Sequence, residues 1–565
     1  MRPKPSTLVR RARGSTKRIL MTIARRFSGR KADRSNATDP PEDGEVRCHR
    51  MFENRDILYL ICEEVGARLE NRDDWDAVNC RRTLAGLARV SWAFSDPALS
   101  MLWRDLTELH PILALRSFPL LRGGDPVSPQ SSKWLRVPYY LSKVHILRLD
   151  TTSPDSSDDV CLLRFINEVY LGGGCPFPAL DTLHWRACFS SPVDDVLDLI
   201  PRRLHSIHVT VFEDSGRPSF DSECADLISD IYSTTPFLRV FELSSQCLPA
   251  HMPPISSLTS LERLTLSVWG HAPKGTPILP SLSALQSLVH LNIHCWIPHR
   301  TELQSLTLSA LRTLSITGVP SVAAIRAIQF IDAPNLYSLH VQAYWVHEDG
   351  VSTECFTMMH SIKTSYGNSL RTFTMEQIPP YPGSFGIGKQ RLLEVIEPLL
   401  QLRDLTALQI QLPLWDLVFE SADAQKIALA WPQIITLSID HPMWDCDQNR
   451  PTVDNLVEFA QLCPDLCSLA LPAISLCSDV SVDQVIEKVR TPSSLQHLVV
   501  HRSAWMSSTT DAARILDCLY PNLDVVTSMQ RTWTSEWWCV LVELDKLRQC
   551  RIQSKDSLNV RSHEQ

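Results

Sequence analysis

The sequence predicts an α/β chain assembled from stacked helix–strand repeats. Three observations predict it. An apolar residue followed at offsets of three and five by two more recurs about fourteen times, as in Leu261-Glu-Arg-Leu264-Thr-Leu266 and Leu336-Tyr-Ser-Leu339-His-Val341. A proline stands two or three residues ahead of many copies, at Pro178, Pro201, Pro236, Pro334, Pro432, Pro464, Pro492 and Pro521. And 565 residues are too many for one compact core, whereas an array of repeats needs none.

The elements follow in order. Stretches such as 452–463 and 509–520 have helical spacing, with Thr452 and Thr509 placed as N-caps. Proline stops each helix, because it disfavours helical backbone at the preceding residue and lacks an amide hydrogen. A short strand follows. Strand side chains alternate, so positions four and six of the phrase face a shared core, and positions three, five and seven face away from it. A single unit cannot bury its apolar side, but parallel stacking can.

The phrase resembles the leucine-rich repeat over roughly residues 141–550, with starts near Val144, Leu180, Leu204, Leu238, Leu261, Leu288, Leu311, Leu336, Leu370, Leu405, Ile434, Leu466, Leu495 and Leu523. That family continues to an Asn or Cys at position nine, which only Cys188 matches here; elsewhere the position holds Phe212, Trp269, Trp296, Tyr344 or Pro413. Intervals between starts run from about 23 to 36 residues, so the expected solenoid is irregular, with parallel strands on the concave side and unequal helices on the convex side.

Ahead of the array, residues 47–106 predict a small helical domain. Ile57, Leu58 and Ile61 form one apolar stripe; Leu84, Leu87 and Val90 form another, followed by Phe94, Pro97 and Leu102-Trp103-Arg104. A few short helices cannot bury so many large side chains alone, which implies a partner. The segment resembles the F-box-like domain of fungal proteins that carry degenerate leucine-rich repeats. It departs at Glu53, where the family usually has proline, and over 70–82, which reads as an added loop. The resemblance implies a substrate-recognition subunit of an SCF-type cullin-RING ubiquitin ligase. In that arrangement Phe52, Ile57, Leu58, Ile61, Leu87, Val90 and Trp103 would face the Skp1-like adaptor or pack the helices, and the repeats would hold an unknown protein substrate. Truncating an anchor in such an interface costs about 2 kcal/mol or more. A repeat-based scaffold with no link to ubiquitin is the alternative.

The surface expected to meet the substrate is the ladder of position-five residues: Arg148, His184, His208, Glu242, Thr265, Asn292, Ser315, His340, Thr374 and Gln409, continuing through Ser438, Ala470 and Val499. His290, His294, His497 and His501 join it from positions three and seven. Clustered histidine suggests a metal or a pH response, yet no carboxylate or cysteine stands at ligand spacing, so hydrogen-bonding histidines are expected, with no metal and no cofactor. Trp269, Trp296, Tyr344 and Trp345, just after strands, are expected to pack turns, with contact residues at the rim as the alternative.

Residues 1–34 carry twelve Lys or Arg against one Asp, leaving the remainder at −19 within a total of −8. This tail fits a solvated segment, a nuclear localisation signal, a membrane-surface helix or a mitochondrial presequence. The expected organisation is a basic tail and acidic linker (1–46), the F-box-like domain (47–106), a linker or cap (107–140), the repeats (141–553) and a disordered tail (554–565). Seventeen scattered cysteines without a repeated CxxC suggest reduced thiols, hence an intracellular protein of nucleus or cytoplasm. No apolar run approaches a membrane span. Neither Gly172-Gly-Gly174 nor Gly386-Ile-Gly388-Lys389 makes a phosphate loop, and no HExxH or nucleophile elbow occurs, so no enzyme activity and no specific nucleic-acid binding are expected.

Overall fold

The computed structural model describes residues 54–66, 75–114, 136–152, 166, 175–188, 196–212, 220–246, 255–268, 279–294, 305–345, 351–378, 387–413, 415–441, 451–476, 483–484, 487, 493–501, 505–506, 508–530 and 535–563. The protein is α/β. Its principal sheet has fourteen strands, whose order in the sheet is their order in the chain. The chain divides into two units, Met1–Val209 and Thr210–Gln565.

The first unit opens with three helices, α1 (Arg55–Gly66), α2 (Trp75–Val90) and α3 (Trp92–Trp103). Ser91 breaks α2 from α3 with an extended backbone, and its hydroxyl caps α3 by accepting from the Phe94 amide. Residues 75–82, expected in a loop, instead form the first turns of α2. Glycine and proline are absent from 75–85, and Ala77, Cys80 and Leu84 are all buried. Leu58, Ile61, Cys62, Val65, Leu84, Leu87 and Phe94 close a common core between the helices.

Asp96 joins this cluster to the short helix Val137–Leu141 and the turn after it. Its carboxylate accepts from Arg55 and Tyr59 of α1, and from Tyr139 and Lys143. Burial alone would raise this carboxyl, but the hydrogen bonds from Lys143, Tyr59, Tyr139 and Arg55 carry it well below the usual carboxylate range. A carboxyl depressed by folding contributes stability above its unfolded pKa of about 3.9 and loses it as pH falls through the lower folded value. Asp96→Asn is therefore expected to lower stability by about 2 kcal/mol at neutral pH. In thermal unfolding followed by circular dichroism, the gap between variant and wild type should close below about pH 4. A gap that persists unchanged in acid would rule out the charge as its cause.

Three strands follow in this unit, β1 (Asp105–Leu106), β2 (Ile146–Asp150) and β3 (Thr182–Cys188), and β4 (Ser206–Phe212) contains the division between the units. The pair β1–β2 is parallel, as is β2–β3, with Arg148 opposite His184.

The second unit carries β5 (Val240–Ser245), β6 (Arg263–Val268), β7 (His290–His294), β8 (Thr313–Pro320), β9 (Ser338–Tyr344), β10 (Thr372–Gln377), β11 (Ala407–Gln411), β12 (Thr436–Asp440), β13 (Ser468–Leu471) and β14 (His497–Val500). Every neighbouring pair is parallel. Positions four and six are buried throughout, for example Leu264 and Leu266, Leu339 and Val341, and Phe373 and Met375. Each such side chain contributes roughly 1.5–3 kcal/mol by leaving water.

Between strands the chain is as uneven as the repeat intervals imply. Helices α4 (Phe220–Thr234), α5 (Ser321–Phe330), α6 (Val351–Tyr366), α7 (Ser421–Ala430) and α8 (Val453–Leu462) stand between strands and α9 (Thr509–Leu519) follows the last of them, while among the described residues the 3₁₀ turns Ile255–Ser257 and Leu279–Ala284 precede β6 and β7. Thr452 caps α8 as expected, in a reciprocal box with Asn455. The cap of α9 is Ser508 rather than Thr509: its hydroxyl accepts from the Asp511 amide.

Two backbone devices tie successive repeats. At strand entry, one carbonyl accepts two amides of the next repeat: Arg239 from Glu262 and Arg263, Glu262 from Val289 and His290, Val289 from Arg312 and Thr313. The same pattern continues through Arg371, Thr406, Ile435 and Cys467. At the helix ends, a buried side chain reaches back to a carbonyl of an earlier connection. The Tyr366 hydroxyl lies 3.0 and 2.8 Å from the Ile328 and Ile331 oxygens, Trp431 Nε1 donates to Leu399 at 3.3 Å, and the Tyr520 hydroxyl donates to Leu456 at 2.8 Å. The Cys463 thiol approaches the Ala428 and Trp431 oxygens in the same way. Of these acceptors, Ile328 and Ala428 stand in the last turns of α5 and α7, where carbonyls lack an intrahelical partner.

Two expectations near the C-terminus are corrected. The phrase starting at Leu523 forms no strand; Asp524 accepts from the Thr527 amide and hydroxyl and starts the helix Val525–Gln530. Residues 554–563, expected in a disordered tail, continue α10 (Ser535–His563), since neither glycine nor proline interrupts that stretch. Trp537, Val540, Leu541 and Leu544 form the buried stripe of α10, and Arg548 donates to Asp517 and to the carbonyls of Tyr520 and Leu523. Among the described residues, no helix is long and apolar enough to cross a membrane.

Candidate functional site

The position-five ladder exists as a physical row. In the second unit Glu242 pairs with Thr265, Thr265 with Asn292, Asn292 with Ser315, Ser315 with His340, His340 with Thr374, Thr374 with Gln409, Gln409 with Ser438, Ser438 with Ala470 and Ala470 with Val499. From Glu242 to Ser438 these side chains are half-buried, as residues shoulder to shoulder on an open sheet face should be. Ala470 and Val499 are buried, so the last two rungs do not belong to the accessible row.

Position seven adds a second row that the ladder reading did not name. Gln342, Glu376, Gln411 and Asp440 stand opposite one another on β9 to β12. Gln342 Nε2 donates to Glu376 at 3.0 Å, and His501 Nδ1 lies 4.0 Å from Asp440. Counting the strand phase one residue pair further finds this row.

The histidines order the face. His340 Nδ1 is 3.3 Å from Ser315 Oγ, and its Nε2 is 3.7 Å from Glu376 Oε1. In the first unit, the His184 and His208 rings stack at 4.3 Å and 14°, and Ser206 Oγ lies 3.0 Å from His208 Nε2. Stacked rings direct their nitrogens past each other rather than at a shared ion. Among the described residues, no group of three or more His, Cys, Asp or Glu is arranged to hold a metal. Arg148 spends its guanidinium on Asp105 in a two-pronged contact at 3.1 and 3.2 Å.

One local feature escaped the sequence pattern. Between Ile316 and Val319, β8 has one residue more than β9 has between Val341 and Ala343, and Gly318 absorbs it at φ +63°. The His294 imidazole lies directly over Gly318, where a Cβ would stand, and hydrogen-bonds Thr317 Oγ1 at 3.0 Å. The bulge thus seats His294 on the face. Trp345 is buried and meets Trp415 edge to face at 6.4 Å, a packing role; Trp269 and Trp296 lie outside the described residues.

The residues expected to meet an adaptor divide into inside and outside. Leu58, Ile61 and Leu87 are core, Ile57 packs partly against them, and Trp103 is buried with its ring 4.9 Å from that of Tyr140. As placed, Leu58, Ile61, Leu87 and Trp103 hold the helices together, because their stripes face one another. Val90 is 72% exposed, and beside it Trp92 is 95% exposed. Leu60 on α1 is 56% exposed. Phe52 lies outside the described residues, as do the basic tail and acidic linker. The outward Trp92 and Leu60 fall between the helical stripes, so a search for stripes passes over them.

The chain matches no protein-family model and no curated protein.

Proposed function

We propose that the chain is a substrate-recognition subunit of an SCF-type cullin-RING E3 ubiquitin ligase. Helices α1 to α3 are its F-box-like domain and take the Skp1-like adaptor. The parallel strands and their connections are a leucine-rich-repeat solenoid, and its polar strand face takes the protein substrate. Ubiquitin transfer itself is left to other subunits. The observation that carries the reading is the junction of α2 and α3, where a helical cluster buries Leu58, Leu84 and Leu87 inward yet leaves Trp92 95% exposed beside Val90. A large aromatic in that position contributes little to the fold and much to a partner.

The test is capture of purified Skp1 by the full chain. Val90→Asp with Trp92→Asp removes the apolar edge without entering the core, and is expected to weaken capture more than tenfold while leaving the circular dichroism spectrum unchanged. Wild-type chain that fails to retain Skp1 would leave the repeats as an interaction scaffold without a ligase.

A further inference from the structure

The strand face of the second unit is not evenly charged. From β7 to β12, positions three, five and seven hold hydroxyls, amides, histidines, two carboxylates and one alanine, Ala407, with no Lys or Arg among them. Glu376 and Asp440 occupy the same row two rungs apart, so their strands lie about 10 Å from each other. Gln342 and Gln411 flank Glu376 in that row. Among the described residues, neither carboxylate has a cationic side chain other than a histidine beside it, and their side chains are 29% and 41% exposed. On the same face Asn292 Oδ1 and His340 Nε2 are buried without a hydrogen-bond partner. Residues 210–565 together carry 37 Asp and Glu against 24 Lys and Arg, so the field around the face has the same sign.

We infer that this face takes a protein segment bearing lysine or arginine, with Glu376 and Asp440 as its two charge contacts. A segment with two cationic side chains spaced along the row would meet Glu376 with one and Asp440 with the other, with the Gln411 amide between them. Phosphate-bearing ligands meet the opposite field. The inference rests on the reading of the strand face as the partner surface and names the chemistry of that partner.

The test is fluorescence anisotropy of the full chain with a labelled short peptide alternating lysine and glycine, and with its glutamate counterpart, at low ionic strength. The lysine peptide is expected to bind and the glutamate peptide not to. Glu376→Gln with Asp440→Asn should weaken the lysine peptide about tenfold, while Glu394→Gln with Glu397→Gln, an equal loss of charge off the strand face, should change it less than about twofold. Equal weakening by both pairs, or no binding of the lysine peptide, overturns the inference. Binding of the glutamate peptide that Thr374→Glu abolishes would overturn the basic preference while keeping the face as a partner surface. Loss of Skp1 capture touches neither result.

Discussion

Trp431→Ala is expected to lower the stability of the repeat array by about 4 kcal/mol. The indole is fully buried between α7 and the next strand phrase, and its Nε1 donates to the Leu399 carbonyl of the preceding connection. Truncation removes a large apolar area, opens a cavity and deletes that tie together. Trp431→Phe separates the parts: it keeps most of the packing and gives up the donor, at about 1 kcal/mol, because the Leu399 oxygen still accepts from Leu402. Chemical denaturation of both variants reads the two values, and similar losses for both would mean that packing at this position counts for little. Hydrogen exchange should place the new opening in α7 and its neighbours, since repeats exchange stability chiefly with adjacent repeats.

Gly318→Ala is expected to cost about 2 kcal/mol, from two sources. A side chain at φ +63° is strained in any surroundings, by roughly 1–2 kcal/mol. In addition, its Cβ would occupy the space of the His294 ring, which must leave Thr317 to make room. Gly318→Ala combined with His294→Ala should therefore recover part of the loss and no more. Full recovery would mean that the backbone is unstrained, and no recovery would mean that the ring is not in the way.

The repeat phrase carried most of the fold in plain view. The spacing of Leu264 and Leu266 or Leu339 and Val341 requires alternating faces, and the structure pairs the Glu242 to Ser438 row in the register that alternation predicts. Where the phrase ends in Leu523 the pattern misleads, because Asp524 is a better helix cap than a strand residue and periodicity does not weigh caps. Gly318 was equally hidden: an added residue inside an otherwise regular strand shifts no apolar position ahead of it. The missing position-nine asparagine looked like a defect. In the structure, part of the repeat-to-repeat bonding falls to the strand-entry carbonyls and to Tyr366, Trp431, Cys463 and Tyr520, residues that read in sequence as ordinary core.

For the candidate site, sequence named the position-five row but neither the Gln342 to Asp440 row nor the accessible atoms. Leu58, Ile61 and Leu87 have the spacing of a contact stripe and also of a helical core, and only the placement of a third helix decides between them. Trp92 belongs to no stripe, so its exposure becomes visible only once α2 and α3 are joined at Ser91.

The side-chain ties at the helix ends all run in one direction, from a later repeat to an earlier one: Tyr366 to α5, Trp431 to the connection before it, Cys463 to α7, Tyr520 to α8. The strand-entry amides do the same, each pair reaching back to a carbonyl already passed. During synthesis a ribosome releases the acceptors first. Each newly emerged repeat of the second unit can then settle on a finished template, with no bond in these two sets waiting for residues still to be made.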